Sequence, residues 1–518
     1  MGRSSRPYLI GIDLGTSTTK VAGFAVDGEL LGIVRSATPT TRLPHGGAEH
    51  DADDLWLTTA RLIRELVTSL SAQHHPVAIA AASVGEAGVP VDMSGQAVRP
   101  VIAWFDARPR AQAEWWMNAI GLDAVHRVSG QSIDPHYGVN KLMWVRDNEP
   151  EAFARTARWL SMGDLIVHRL AGVFVTDRTL ASRTMVYDQA ADAWSSTLLA
   201  EAGLKSALFP PVVAAGTLVG GVTREAARAT GLREGLPVVV GGHDRLCGAF
   251  AARGSTPSSV DSTGSAEALV VPLDTYVEQG AEEAGYVACY ADVVPGRYVF
   301  SARVGYAGSL LDWFRSAIVG PSSSPEVSYA QLIEEIPRPL AFSGLLVFPS
   351  FGRVITPFWD PASAPGLIAG LTLSTDRGRL FQALLEGIGY SLRASVDLVE
   401  RLNGRTLPTL RVEGGATKNS IWMQLKSDIL GRPIEVVRLR EATAQGAALL
   451  AGVGAGVYPS HHAAASTPKT EIEDVYPDPA RTATYRTVFD RAYMNLAPAL
   501  SAVNRVLVEK SNQVGQNG

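Results

Sequence analysis

Residues 8–32 read YLIGIDLGTSTTKVAGFAVDGELLG and contain three strand-like runs separated by two short turns. The first run, 8–12, is apolar, and the second, 19–26, is rich in the β-branched and aromatic residues that strands favour. An Asp-Gly pair at 27–28 joins the second run to a third at 29–34. Asp-Gly tolerates the positive φ angles of a type I′ hairpin turn, so the stretch predicts a β-hairpin there.

The turn between the first two runs, residues 13–18, reads DLGTST and concentrates small and polar side chains. Gly15 lets the backbone bend closely, and the N–H and O–H donors of Thr16 and its neighbours suit an anion. Asp13 suits a cation instead, such as Mg²⁺, which binds oxygen and bridges phosphates. Lys20 adds positive charge near a terminal phosphate. The alternative is a polar hairpin turn with a solvated lysine, and the stretch alone leaves both interpretations open.

The composition limits the class of protein and its partners. At 518 residues the chain is too long for one hydrophobic core, so two large domains are expected. A net charge of -5 and a pI of about 6.1 argue against a binder of nucleic acid or of anionic membranes. Two cysteines, Cys247 and Cys289, favour a reducing compartment. We therefore expect a cytoplasmic protein without a nucleic-acid or membrane partner, and a homodimer is left open.

Strand-like and helical segments alternate along the chain, which is typical of α/β proteins. Residues 51–70 have an acidic start and apolar residues near helical spacing, which predicts a helix. Residues 76–84 and 235–242 are short, continuous apolar runs that predict buried strands. The next segment, HDRLCGAFAARG, predicts a helix that ends at Gly254.

The second half begins with a strand-like run of its own. We place the domain boundary after this helix, which predicts domains at 1–254 and 255–505 and a flexible tail at 506–518. Residues 258–271 carry a Thr-Gly-Ser turn between strand-like flanks, an echo of the first small-residue loop. Because each domain begins with such a loop, we expect a nucleotide to bind between the two domains. Residues 460–471 are predicted to form a loop.

Seven motifs resemble those of the FGGY-family carbohydrate kinases, within the actin-like ATPase superfamily, and occur in the family's order. They are GIDLGTSTTK, NKLMWVRDN, TDRTLASRTMVYD, GLPVVVGGHD, VGYAGSLLDW, FWDPASAPGLIAGLTLSTDRGRLFQALLEGIGY and VEGGATKNSIWMQLKSDILGRPIEV. The resemblance implies an α/β fold of two actin-like (ribonuclease H-like) domains with a cleft between them. It implies ATP-dependent phosphorylation of a hydroxyl of a small sugar or polyol, with Mg²⁺.

The resemblance assigns the general base to Asp244. A sugar hydroxyl is a poor nucleophile until a base takes its proton, so a carboxylate must lie within hydrogen-bond reach. Asp244 follows an apolar strand, where open α/β sheets place their ligands. Without the resemblance, the favoured interpretation of Asp244 is the N-cap of the next helix. Asp13 and Asp244 are the expected Mg²⁺ ligands, and His243 is expected to pack in the pocket.

The resemblance also implies a set of nucleotide-binding residues in both domains. They are Gly15, Thr16, Thr18, Lys20, Thr263, Gly264, Ser265, Gly308, Asp312, Gly414, Gly415, Ala416 and Asn419. The paired glycines at 414–415 are expected because a Cβ there collides with the ligand. The alternative for this pair is a plain turn between a strand and a helix.

The sugar pocket is expected around Glu86, which offers an acceptor to substrate hydroxyls. Gly85 stands where glycerol kinases carry arginine, and its missing side chain is expected to leave room for a longer substrate. Trp104 is expected to pack on the carbon chain, and His136 and Glu267 are further polar candidates. This many polar groups favours a ketose or alditol of about four to six carbons.

Asp106 and Arg108 are interpreted either as a further part of this pocket or as a structural ion pair. Two other functions remain for the whole chain, a non-sugar ATPase of the actin/chaperone superfamily and a catalytically weak sugar-sensing protein. The dependence of ADP release on a sugar separates these alternatives from a kinase.

Overall fold

The computed structural model describes residues 6–280, 285–319, 327–351 and 366–496, together with 499, 503 and 506. The chain divides into two compact units. The first consists of Met1–Pro257, Pro272–Val299 and Arg440–Lys469, and the second of Ser258–Val271, Phe300–Leu439 and Thr470–Gly518. The domain limits at 254 and 505 stay a prediction, and all but the first residue of the expected tail, 506–518, lies outside the described residues. Across the described ranges, every helix is too short or too polar to cross a membrane.

The first unit is built on one central sheet, which contains the predicted strands. Its strands lie in the order Leu218–Gly221, Pro237–His243, His74–Ser83, Arg6–Leu14, Thr18–Ala25 and Leu30–Ala37. Pro237–His243 and Arg6–Leu14 both run parallel to His74–Ser83. Buried apolar side chains of these strands and of the flanking helices form one core cluster. The parallel arrangement brings the carboxyl ends of three neighbouring strands to one edge of the sheet.

The hairpin between the second and third strands differs from the predicted type I′ turn. The Gly28 N–H donates to the Ala25 carbonyl (2.9 Å), and the Ala25 N–H donates to the Glu29 carbonyl (2.8 Å). Gly28 has a φ of 87°, whereas Asp27 keeps a negative φ. The loop is therefore a three-residue type I turn completed by a left-handed glycine. The type I′ prediction was wrong because only one of the two turn residues adopts a positive φ.

The remaining strands of the first unit are short and lie outside the central sheet. They are Thr41–Arg42, Ala48–His50, Gly88–Val91, Val101–Ile102, Arg158–Ser161, Thr176–Asp177, Tyr187–Asp188, Ala193–Trp194, Val212–Val213 and Val287–Ala291. Its α-helices are Ala52–Leu70, Arg110–Ala119, Leu122–Ser129, Gly138–Asn148, Pro150–Arg155, Met162–Ala171, Arg178–Ser182, Ser196–Glu201, Arg224–Thr230, Asp244–Arg253, Ala442–Gly454 and His461–Ala465. The helix predicted at 51–70 is confirmed, and Asp51 caps it by accepting the N–H groups of Asp53 and Asp54. The helix that ends at Gly254 is also confirmed.

Two glycines allow Ala442–Gly454 to pack against the centre of the first unit. A Cβ at Gly11 would lie 1.8 Å from the Ala444 carbonyl oxygen, and a Cβ at Gly446 would lie 1.9 Å from the Cys247 carbonyl oxygen. Backbone therefore approaches backbone at both places, which only glycine permits. This packing holds Glu441, the residue before the helix, beside the first small-residue loop.

The second unit contains a second sheet with flanking helices. Its strands lie in the order Tyr298–Tyr306, Ala266–Leu273, Ser259–Thr263, Leu410–Glu413, Ile434–Arg438 and Glu471–Val475, and a separate pair is formed by Leu346–Phe348 and Leu367–Ala369. Its α-helices are Gly308–Trp313, Tyr329–Glu334, Arg377–Asn403, Ser420–Leu430 and Pro479–Val488, with π-helical turns at Phe314–Ile318 and Phe489–Tyr493. Gly431 ends the helix Ser420–Leu430 with a φ of 66°.

The predicted loop at 460–471 was wrong at 461–465, which form a helix, and at 471, where the strand Glu471–Val475 begins. Ser460 caps a short helix, His461–Ala465, by accepting the Ala463 N–H (3.1 Å). Alanines follow the two histidines, and their helix propensity explains the extra turn. His461 is half-buried with Nε2 3.0 Å from the Ala215 carbonyl oxygen, so it is a packing residue.

Candidate active site

Three carboxylates lie at the same edge of the first unit's sheet. Asp13 is near the end of Arg6–Leu14, Asp244 follows Pro237–His243, and Glu86 follows His74–Ser83 by three residues. The strand register places Leu14 and His243 on either side of Ser83, so the three strand ends are level. The carboxyl edge of a parallel sheet is where open α/β folds bind their ligands.

Asp244 is the first residue of the helix Asp244–Arg253, and its N-cap is His243. The alternative that Asp244 is the N-cap was therefore wrong. Its Oδ1 accepts the Arg245 N–H (2.6 Å) and lies 3.2 Å from His243 Nε2. Burial, together with the nearby Asp13 and Glu86 carboxylates, raises the pKa of Asp244 to about 7 against the opposing influence of Arg245. A partly exposed carboxylate of this kind suits proton transfer near neutral pH.

The strand end that carries Asp244 is fixed from behind by a short polar chain. The His243 N–H donates to Thr179 Oγ1 (2.8 Å), and the Thr179 hydroxyl donates to Asp177 Oδ1 (3.0 Å). A Cβ at Gly242 would lie 2.9 Å from Thr179 Oγ1, so the glycine permits this contact. Burial lowers the pKa of His243 to about 3, so the ring is neutral. His243 is a buried packing residue, and its expected place in a substrate pocket stays a prediction.

Asp13 faces a lysine across the first hairpin. Lys20 Nζ lies 3.5 Å from Asp13 Oδ2 and 2.8 Å from Glu441 Oε2. Burial raises the pKa of Asp13 to about 6 even with Lys20 beside it. Sequence reasoning missed Glu441, which comes from a distant segment and engages the lysine expected to hold a phosphate.

The carboxylates Asp13 and Asp244 fit a magnesium ion by their chemistry. Both are oxygen donors, which Mg²⁺ prefers, and burial raises the pKa of each carboxyl. Within the described ranges no three His, Cys, Asp or Glu side chains form a metal-binding group. A site of two carboxylates matches the way Mg²⁺ is held, with few protein ligands and substrate phosphates supplying the rest.

The small-residue loop that follows Asp13 is tied to the rest of the site. The Gly15 N–H donates to the Thr18 carbonyl (3.2 Å), and Thr38 Oγ1 donates to the Gly15 carbonyl (2.9 Å). The Trp104 indole Nε1–H donates to Thr16 Oγ1 (2.8 Å), which connects the expected sugar pocket to the loop. The loop is therefore held in one conformation with its hydroxyl-bearing residues partly exposed.

Glu86 is buried against Arg183, which lies in one of the quoted sequence motifs but has no role in the sequence-based predictions. Arg183 Nε donates to Glu86 Oε1 (2.8 Å), and Arg183 Nη2 bonds the same oxygen. His136 Nε2 lies 3.7 Å from this oxygen, and its Nδ1 pairs with Asp134. Arg183, with a smaller contribution from His136, holds the pKa of Glu86 well below its usual value against the effect of burial.

The space beside Gly85 is filled by protein, so the expected room for a longer substrate was wrong. A Cβ at Gly85 would lie 2.6 Å from Arg183 Cγ and 3.0 Å from His243 Cδ2. Gly85 is required because these two side chains cover it. The size of the substrate is therefore not set by this glycine.

Lys141 fixes the backbone of the expected sugar pocket. Its buried Nζ donates to the carbonyls of Glu86 (2.6 Å), His136 (2.6 Å) and Trp104 (3.2 Å). Burial lowers the pKa of Lys141 to about 7. All three partners carry side chains that the sequence analysis assigns to substrate, so this lysine positions the pocket.

The interpretation of Asp106 and Arg108 as a structural ion pair is supported. Arg108 bonds Asp106 and Glu49 (2.7 Å), and its guanidinium lies over the Trp144 ring. Asp106 Oδ2 also accepts the Ala48 N–H (2.8 Å). The charges of Asp106 and Arg108 are therefore both paired with groups of the first unit.

In the second unit, the predicted Thr263-Gly264-Ser265 turn joins two antiparallel strands. The Gly308 N–H donates to the Gly264 carbonyl (2.9 Å), and a Cβ at Gly308 would lie 2.9 Å from the same oxygen. Gly308 is therefore needed where its helix begins on the turn. Asp312, on the same helix, is exposed and accepts the Tyr329 hydroxyl.

The paired glycines at 414–415 have different surroundings. A Cβ at Gly414 would lie 2.4 Å from the Thr263 carbonyl oxygen, so this glycine is required by protein backbone and not by a ligand. A Cβ at Gly415 would meet nothing within 4 Å, which leaves open space beside it. Ala416 is buried, and Asn419 Oδ1 caps the next helix by accepting the Trp422 N–H (3.1 Å).

Glu267 lies inside the second unit, and its place there speaks against the expected contact with substrate. Its side chain is fully buried with Oε2 3.1 Å from Lys426 Nζ. The same ammonium bonds Asp261 and donates to Thr263 Oγ1 (2.8 Å). The hydroxyl of Thr263, expected at a phosphate, is therefore used inside the unit.

Comparison with known proteins agrees with this α/β fold. The N-terminal domain of the FGGY family of carbohydrate kinases matches residues 8–251, and the C-terminal domain matches residues 262–455. The chain belongs to this family. The predicted α/β fold with two actin-like domains is thereby confirmed, while the cleft between them stays a prediction.

Individual relatives cover nearly the whole chain. The xylulose kinase of Bacillus subtilis is 28% identical over 506 residues, which span 96% of this chain and 98% of that protein. The glycerol kinase of Methylibium petroleiphilum is 30% identical over 467 residues, with coverages of 87% and 91%. The crystal structure of xylulose kinase from Rhodospirillum rubrum matches with a TM-score of 0.84 at 25% identity and covers 97% of this chain and 100% of that one. The predicted carbohydrate kinase activity is confirmed, and kinases of this family use ATP.

Proposed function

We propose that Asp244 is the general base of this kinase and that the acceptor is a small uncharged ketose or alditol. The observation that supports this most strongly is the position of Asp244. It stands at the carboxyl edge of the sheet, partly exposed, with a pKa raised to about 7. Glu86 lies at the same edge and offers a hydrogen-bond acceptor to the substrate.

In the proposed reaction, Asp244 accepts the proton of one acceptor hydroxyl as that oxygen attacks the γ-phosphorus of ATP. The new O–P bond forms as the bond to the bridging oxygen breaks, and ADP leaves with the electron pair. When bound by Asp13 and Asp244, Mg²⁺ supplies charge neutralisation for the phosphates. Lys20 and Glu441 orient Asp13, and the Asp177–Thr179–His243 chain orients the strand end before Asp244.

For the nucleotide, we propose candidate binding residues in each unit separately. In the first unit, residues 15–18 supply N–H and O–H donors to the phosphates. In the second unit, the open space beside Gly415 and the exposed turn at 264–265 favour contacts with the nucleotide. Gly414 and Gly308 serve this surface indirectly, because they shape the backbone.

For the acceptor, the relatives act on different small carbohydrates, which their names give as xylulose and glycerol. We keep the proposed range of about four to six carbons, because Glu86, His136 and Trp104 present several polar atoms and one flat apolar ring. Two buried, free cysteines fit a reducing compartment, so we propose a cytoplasmic location.

The test is acceptor-dependent ADP release by the full chain with Mg-ATP. The panel contains tetritols, pentitols, tetruloses, pentuloses and deoxyhexuloses, and phosphorus NMR identifies the phosphorylated product. We expect ADP release that saturates with at least one member and yields one sugar phosphate. ADP release that ignores every acceptor would favour a chaperone-like ATPase, and tight sugar binding without turnover would favour a sensor.

A further inference from the structure

Arg183 is the centre of a buried polar group in the first unit, which we call the inner cluster. The inner cluster consists of Glu86, Gln131, Arg183, His243 and Tyr290. Arg183 Nη1 donates to Gln131 Oε1 (2.7 Å), and its Nε and Nη2 bond Glu86 Oε1. The Arg183 Cζ lies 5.3 Å from the Tyr290 ring centroid, and the Tyr290 and His243 rings are 6.4 Å apart.

Three members of the inner cluster carry a buried polar atom without a hydrogen-bond partner. These atoms are Gln131 Nε2, His243 Nδ1 and Tyr290 OH, and the three residues are at most 3% exposed. Buried polar atoms nearly always find a partner in folded proteins. Three unpaired atoms around one guanidinium therefore indicate a partner that the polypeptide does not supply.

Glu86 adds a free acceptor to this group. The contacts that Arg183 and His136 make with Glu86 all go to Oε1. Among the described residues, none donates a hydrogen bond to Oε2. His243 adds a second acceptor. Its Nε2 lies 3.2 Å from Asp244 Oδ1, which places the ring proton on Nε2 and leaves a lone pair on Nδ1. Gln131 Nε2 is a donor, and the Tyr290 hydroxyl both donates and accepts.

The charges of the inner cluster exclude an anionic partner. The Arg183 guanidinium is already paired with the Glu86 carboxylate. A carboxylate only accepts hydrogen bonds and brings a charge that has no free counter-charge here. A hydroxyl donates and accepts at once, which matches free donors beside free acceptors.

We propose that the inner cluster is the specificity subsite for the acceptor, where Tyr290 and Gln131 donate to, and Glu86 and His243 accept from, hydroxyl groups of an uncharged polyol or ketose. This inference rests on the proposed function of Asp244, whose ring neighbour His243 belongs to both sites. The subsite favours an uncharged acceptor over the sugar acid of the same chain length. Tyr290 is the specificity-determining residue that this structure adds.

The test compares Tyr290→Phe with Tyr8→Phe in the full chain. Tyr8 also carries a buried hydroxyl without a partner, but it lies in the core away from the strand ends, so it is a matched control. For the best acceptor, we expect Tyr290→Phe to lower kcat/KM by about 10- to 100-fold. The KM for ATP and the Tm should stay unchanged. One deoxy analogue should be poor for the wild type and no poorer for Tyr290→Phe, because the same hydrogen bond is already missing.

Three results would overturn the inference while the kinase proposal stands. These are an unchanged kcat/KM in Tyr290→Phe, an equal loss with every deoxy analogue, and an aldonate that the wild type phosphorylates as well as the neutral sugar. A loss confined to Tm would mark Tyr290 as structural and would equally overturn it. A wild type that phosphorylates no acceptor would overturn the proposed function and the inference together.

Discussion

Alanine at each of the paired glycines 414–415 separates a structural glycine from one that faces a ligand. In Gly414→Ala the new Cβ would lie 2.4 Å from the Thr263 carbonyl oxygen, so the backbone must move by about 0.6 Å to reach even 3.0 Å. Such overpacking costs roughly 1–3 kcal/mol. The φ of 104° adds roughly 1–2 kcal/mol for a residue with a side chain. We expect a destabilisation of about 3 kcal/mol.

Gly415→Ala should behave differently, because its Cβ meets nothing within 4 Å and its φ is not in the left-handed region. The stability should change by less than about 1 kcal/mol. If the open space receives the nucleotide, the KM for ATP should rise about 10-fold or more, since each 1.4 kcal/mol of lost contact is tenfold.

Calorimetric Tm values and initial rates of ADP release over a range of ATP concentrations check both variants. We expect Gly414→Ala to lower Tm by roughly 5–12 °C, and Gly415→Ala to leave it within about 2 °C. A Gly414→Ala protein with the wild-type Tm would refute the argument from the Thr263 carbonyl. A Gly415→Ala protein with the wild-type KM for ATP would refute the nucleotide contact.

Three further predictions concern the titrating and buried groups. Asp244 acts as a carboxylate and its pKa is about 7 in the free protein, so kcat/KM should fall as the pH drops through 7. Saturating Mg²⁺ should move this fall to lower pH. A kcat/KM that does not change with pH from 5.5 to 8 would contradict this prediction. Lys426→Met leaves two buried carboxylates without a cation and should lower the free energy of unfolding by about 3–5 kcal/mol in a denaturation experiment. The exposed control Lys418→Met should leave it almost unchanged. Equal Tm values for the two variants would refute the pairing. Burial lowers the pKa of Lys141 from 10.5 to about 7, so above pH 7 the unfolded chain binds a proton that the folded chain has lost. The wild-type Tm should therefore rise more between pH 7 and 9 than the Tm of Lys141→Met. Parallel Tm curves would argue against an energetic penalty for the charged form of the buried lysine.

The sequence predicted the local elements around the site because their signals are local. The apolar runs at 8–12 and 235–242 are strands, and the helix after Asp244 ends at Gly254. Parallel strand ends meet at one edge, so their carboxylates could be expected there as well. The Asp-Gly turn was mistaken because the same two residues also suit a three-residue loop, and the register that decides between them belongs to the whole sheet.

The partners of the site residues could not be predicted, because they come from distant segments. Arg183 fills the space over Gly85 and holds Glu86, nearly a hundred residues away in the chain. Glu441 reaches Lys20, and Lys426 reaches Glu267, in the same way. No spacing rule connects such pairs. A glycine in a sequence shows that a side chain is missing, but only the fold shows whether a ligand or a protein atom occupies the space.

The turnover of Asp244→Asn tests the central claim most directly. Amide and carboxylate have nearly the same shape, so the acceptor should bind with a dissociation constant within about threefold of the wild type, while kcat falls by roughly 10²- to 10⁴-fold because the base is missing. Asp123→Asn, which changes an exposed carboxylate of the same unit, should keep the wild-type kcat. A kcat for Asp244→Asn close to that of the wild type, with a folded protein, would contradict the account.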